Sequence, residues 1–105
     1  MTVSVAALLT CFNRREKTMA CLRSLLGRTQ LASIELTVYL LDDGSSDGTA
    51  ASVRKEFPQV RLLDGDGSLY WNGGMRAAFG AAIEDGYDFY LWLNDDVRLF
   101  DGFLV

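Results

Sequence analysis

Three nearly unbroken apolar runs constrain this chain more than any other feature of it. Residues 3–9 (VSVAALL), 36–41 (LTVYLL) and 89–93 (FYLWL) carry apolar side chains at almost every position. A strand with one face in water alternates polar and apolar residues, so an unalternating run marks a strand buried on both faces. Helix patterns separate these runs. Thr18 with Met19, Leu22, and Leu25 with Leu26 share one helical face after the first run, and Gly27 stops that helix. Asn13 reads as its N-cap, with Glu16 three residues later completing a capping box. A second helix begins near Ser46 or Asp47 and ends at Phe57, because Pro58 cannot continue it. Residues 60–63 form a short third strand. Met75, Ala78, Phe79, Ala82 and Ile83 then recur at i, i+3, i+4, i+7 and i+8 on a third helix, which Gly86 caps. Strand and helix alternate throughout, which predicts an α/β fold with a mainly parallel sheet flanked by helices.

Length and composition narrow the functions open to such a fold. The 105 residues suit a single domain, 1–105, or part of one, and a hydrophobic content of 50% excludes disorder. A net charge of −4 argues against a nucleic-acid backbone as partner. The chain has no histidine, which removes Ser-His triads and histidine-based zinc sites together. Its two cysteines, Cys11 and Cys21, sit in apolar settings and read as reduced packing residues of a cytoplasmic protein. The opening residues lack a basic region followed by a sustained apolar core and so do not read as a signal peptide, and no window reaches the roughly 18 apolar residues of a membrane span.

Polar residues collect where the strands end. The carboxyl ends carry residues 10–14, 42–46, 64–68 and 94–96, and in open α/β sheets ligands bind outside those ends. Asp42 to Thr49 (DDGSSDGT) suits a turn and a helix cap, yet a second carboxylate adds nothing to a cap, so Asp43 is free to accept from an N–H of a nucleobase. The neighbours Asp95 and Asp96 repel by about 4 kcal/mol at an effective dielectric near 20, and a cation would relieve that. Carboxylates beside the amide of Asn94 suit a hard divalent ion, Mg²⁺ or Mn²⁺. In GSLYWNGGMRAAF (67–79), Tyr70 and Trp71 either plug the loop onto the sheet or face a ligand. Gly73 and Gly74 open the helix with unhindered amides suited to an anion, and Arg76 one turn in meets either a phosphate or a local ion-pair partner. No Gly-Lys-Ser/Thr follows, so this is not a P-loop.

The ordered set VSVAALLTCFNRREKTMACLRSLL, LLDDGSSDGT and LWLNDD resembles the first half of a family 2 glycosyltransferase with the Rossmann-like GT-A fold. The WNGG segment resembles the rhamnosyltransferase branch more weakly. The resemblance implies a nucleotide-sugar pocket lined by Thr10, Phe12, Asn13 and Glu16, with Asp43 on the base and Gly74 and Arg76 toward the diphosphate. It implies Asp95 near the ribose or the metal, and Asp96 as metal ligand for Mn²⁺ or Mg²⁺. Phe12 stands where many members have Tyr, and Asn94 where many have Asp.

Members usually continue into an acceptor-binding half, and the resemblance places the catalytic base there, beyond Val105. The chain therefore reads as a truncated donor half. It would bind a UDP-, GDP- or dTDP-linked sugar for inverting transfer to a saccharide or lipid-linked acceptor, in the cytoplasm or at the inner face of a membrane. The rival is a nucleotide-binding module without turnover. A third reading is an interaction protein, in which the apolar end FLV (103–105) promotes a homodimer.

Overall fold

The computed structural model describes residues 3–26 and 33–95. Among them, strands β1 (Val3–Cys11), β2 (Ile34–Asp42), β3 (Arg61–Asp64) and β4 (Phe89–Trp92) form one sheet in the order β3-β2-β1-β4. Every pairing is parallel. Helices α1 (Arg15–Leu26), α2 (Thr49–Glu56) and α3 (Tyr70–Asp85) make the crossovers.

The sheet separates two apolar layers, as the two-residue period of a strand requires. Ala7, Leu9 and Cys11 of β1 point toward Met19, Leu22 and Leu25 of α1 and Val53 of α2. Ala6 and Leu8 point the other way, toward Met75, Ala78 and Ala82 of α3. Residues 6–9 are fully buried, which accounts for the unalternating sequence of this central strand. Across the α3 layer, Tyr39 donates its hydroxyl to Asp85 and lies 2.7 Å from the Tyr87 hydroxyl. The Arg61 guanidinium covers the Tyr39 ring at 5.6 Å. Register leaves the carboxyl ends of β1, β2 and β3 flush, with Cys11 opposite Asp42 and Asp42 opposite Asp64, while β4 stops at Trp92 opposite Leu8.

Three expectations change. The run at 89–93 reads as doubly buried, but β4 pairs with β1 alone among the described residues, and Phe89 is 63% exposed. An apolar run does not distinguish a central strand from an edge strand whose aromatic rings cover one another. Here Tyr90 and Trp92 lie over Phe79, with ring centroids 5.2 and 5.7 Å away.

Ile83 leaves the buried stripe and is 52% exposed. Eight residues beyond Met75, a 3.6-residue turn has rotated it roughly 80° off that axis.

The capping box gives way to a longer-range cap. Helix α1 begins at Arg15, whose amide donates to the Asp47 carboxylate at 3.0 Å. Asn13, at φ 49°, turns its side chain to the Ser46 amide at 2.7 Å. Asp47 also accepts from the Thr49 amide at 3.1 Å, so one carboxylate serves the starts of both α1 and α2. Other boundaries shift modestly: α2 starts at Thr49 and β3 one residue later than expected. The stop at Gly27 and the FLV end lie outside the described residues. Among the described residues, no helix is long and apolar enough to cross a membrane.

Candidate functional site

Just beyond the sheet's carboxyl edge lies a cleft of about 170 Å³. Thr10 and Cys11, the last residues of β1, form its floor, and Phe12 stands beside them with half its surface exposed. Asp43 closes the β2 side, Tyr70 and Trp71 form the α3 side, and Arg14 and Asp95 complete it. Of the residues picked out in the sequence, the fold thus gathers Thr10, Phe12, Asp43 and Asp95 around one space.

The two acidic side chains in this cleft are buried and differently compensated. Asp43 is 3% exposed. Its Oδ1 accepts from the Gly67 amide at 2.9 Å, and its Oδ2 from the amides of Leu69 at 3.1 Å and Tyr70 at 2.9 Å. A carboxylate at that place caps α3 from another element and meets its positive dipole end. Asp43 therefore arrives already engaged, where the sequence had suggested a group free for a nucleobase. Asp95 is 5% exposed and forms an ion pair with Arg14 at 3.1 Å. Thr18 donates to it from 3.5 Å.

The loop from Gly65 to Tyr70 fits tightly around Asp43. A side chain at Gly65 would start 2.5 Å from the Asp43 Oδ1, and one at Gly44 would start 3.1 Å from the Gly67 amide. Tyr70 takes φ 55°, a left-handed conformation rare for an aromatic residue. Trp71 follows, its indole N–H donating to the Asn94 Oδ1 at 3.1 Å and its ring 6.3 Å from that of Trp92.

The remaining candidates lie elsewhere. Asn13 and Glu16 line a neighbouring groove with Arg15 and Asp47, and the Glu16 carboxylate points outward beside Arg15 at 3.5 Å. Arg76 is exposed on α3 and does not line the cleft. Gly74 does not present a free amide at a helix start: α3 opens at Tyr70, and already at Gly73 the amide donates to the Leu69 carbonyl at 2.9 Å. Gly74 is needed for a different reason. A Cβ there would sit 2.8 Å from the Thr10 Cβ and nearer still to its hydroxyl, so glycine lets α3 lie directly on the end of β1. Sequence reading passed over Arg14, which supplies the positive charge of the cleft; its place in the turn after the first strand is the signal that could have found it.

Burial and the Asp42 charge push the Cys11 thiol up to about 12. It stays protonated and serves as a packing residue. Asp47 is held below the usual carboxylate range, chiefly by the Thr49 hydroxyl and then by the amides it caps.

Oxygen donors of the kind a hard cation takes are present at Asn94 and Asp95. Among the described residues no three acidic or thiol side chains cluster closely enough to hold a metal, and Asp96 lies outside the described residues.

Comparison with known proteins bears on this arrangement. The family described as Glycosyl transferase family 2 matches residues 7–104. No curated protein matches the sequence. Among solved structures, the mannosyltransferase PcManGT from Pyrobaculum calidifontis, in complex with GDP-Man and Mn²⁺, superposes with a TM-score of 0.69 at 17% identity, covering 93% of this chain and 29% of that one. Residues 1–349 of S. aureus TarS give 0.63 at 23% identity over 93% of this chain and 28% of that one. A second TarS structure gives 0.62 at 22% identity, over 91% and 17%. The chain thus spans less than a third of the length of each of these three structures.

Proposed function

Because this chain belongs to glycosyl transferase family 2 and shares the GT-A fold, we propose that its cleft binds the nucleotide end of a nucleotide-diphosphate sugar. The observation that carries the reading is the convergence of Thr10, Phe12, Arg14, Asp43 and Asp95 on one space outside the strand ends. The GDP-Man and Mn²⁺ held by the mannosyltransferase of the same fold support it. Phe12, exposed and aromatic, offers a face on which a base stacks, and Thr10 supplies a hydroxyl to the floor. Arg14 provides the fixed charge that meets phosphate oxygens.

Asp95, Asn94 and, by sequence, Asp96 are the residues that would hold Mn²⁺ or Mg²⁺. When bound, such an ion stabilises charge on the departing diphosphate. The sugar then passes, with inversion, to a saccharide or lipid-linked acceptor in a longer protein that also carries the catalytic base.

Calorimetric titration with UDP, GDP and dTDP, with and without Mn²⁺, tests this reading. Saturable binding of one nucleotide that Mn²⁺ strengthens in the wild type but not in Asp96→Asn is expected. Equal binding by both proteins would remove the metal assignment, and binding of none of the three would remove the function.

A further inference from the structure

We infer that Asp43 is a positioning residue: it shapes the aromatic wall of the cleft by fastening the loop from Gly65 to Tyr70, before any ligand arrives. The inference rests on the proposed nucleotide site but concerns the ligand-free protein. Three amides of one loop, those of Gly67, Leu69 and Tyr70, point at a single buried carboxylate on a different element. Such charge-assisted bonds are stronger than neutral ones, and they converge where the loop is least able to hold its own shape. Gly67 has φ 93° and Tyr70 φ 55°. A left-handed tyrosine is costly and persists only where its surroundings fix it. The bond from the Tyr70 amide to Asp43 does that fixing, and it closes the open N-terminus of α3, whose own preceding residue, Leu69, offers no side-chain cap.

The consequence lies one residue further on. With Tyr70 held in this conformation, its ring is 76% exposed at the cleft, and Trp71 is turned so that its indole reaches Asn94, next to Asp95. The carboxylate at the end of β2 therefore sets the position of the opposite wall and, through Trp71, touches the strand end that carries Asp95. Its isosteric amide would retain volume but offer N–H groups to N–H groups. The loop would then relax toward conformations that a tyrosine prefers, and the wall would move.

Trp71 reports this directly. The chain contains two tryptophans, so Trp92→Phe leaves Trp71 as the sole indole emitter. In that background, without ligand, Asp43→Asn should shift Trp71 emission and weaken nucleoside diphosphate binding about tenfold, the equivalent of one charge-assisted hydrogen bond. Gly65→Ala keeps the carboxylate but drives a methyl against its Oδ1, and should give the same shift and the same weakening even if the Asn variant folds poorly. Unchanged emission in both variants overturns the inference, and weaker binding with unchanged emission assigns Asp43 to direct ligand contact instead. Undiminished nucleotide affinity in both variants also overturns it. Failure of the unsubstituted protein to bind any nucleoside diphosphate would sink the proposed function alone, since the emission arm reads the free protein.

Discussion

Asp43 and Asp95 close opposite sides of the same cleft, equally buried, yet the protein neutralises them by different means. Asp43 is held by three backbone amides. Asp95 pairs with an arginine whose own side chain is 46% exposed, and it also accepts from the Thr18 hydroxyl. Backbone donors come with the fold and cannot leave without opening the loop. A half-exposed guanidinium on a flexible stem can turn to a phosphate where a cation takes its place beside the carboxylate. The Asp43 contacts are therefore part of the loop's architecture, whereas the Arg14 pairing of Asp95 is one that solvent reaches. Burial and charge alone would have ranked them alike; the identity of the donors separates them.

Isosteric substitution is the sharpest way to break this comparison. Asp43→Asn should lower stability by about 2–3 kcal/mol, because it sets two buried N–H donors against others, whereas Asp95→Asn should lower it by about 1 kcal/mol or less, since Arg14 can turn to water. Urea unfolding measures both. Equal losses would mean that the arginine is as structural as the amides.

Gly74→Ala probes the layer beneath the cleft. Its methyl would press on Thr10 and lift α3 from β1, costing about 1–3 kcal/mol by overpacking, and Thr10→Ala should recover part of that loss in the double variant. Additive effects would deny that the two residues share the strain.

The smallest effect should be that of pH on the caps. Asp47 has its pKa lowered in the fold, first by the Thr49 hydroxyl, so its contribution is present above the ordinary carboxylate range and lost as pH falls through and below that range. Acid titration of the unfolding midpoint should show this loss, and Asp47→Asn should flatten it. A slope unchanged by that substitution would place the acid sensitivity elsewhere.

Much of this was legible in the sequence because the relevant signals are local. The unalternating run at 3–9 marks a strand whose neighbours cover both faces, and the abrupt passage from Leu41 to Asp42 marks the carboxyl end of β2. Four of the candidate residues, Thr10, Phe12, Asp43 and Asp95, met in one cleft because each lies at or within three residues of the carboxyl end of a strand and the strands are parallel. The capping box at Asn13 and Glu16 fits a local rule that the structure sets aside: Asp47, 32 residues from Arg15 in sequence, takes the helix start instead. Ile83 fits the helical stripe but falls on its flank, because periodicity gives a direction on the helix and not the width of the contact. Gly74 was read for its amide and is needed for its missing Cβ, a fact that exists only once α3 lies against β1.

The order of strands and helices, the parallel sheet and the rim of polar residues were written in the sequence, since each follows from apolar periodicity and the chemistry of a few neighbouring residues. Which backbone amides or side chains would meet each carboxylate was decided by tertiary structure. Hydrogen-bond donors to a buried acid come from whatever backbone or side chain the fold brings within about 3 Å, and that proximity has no signature along the chain.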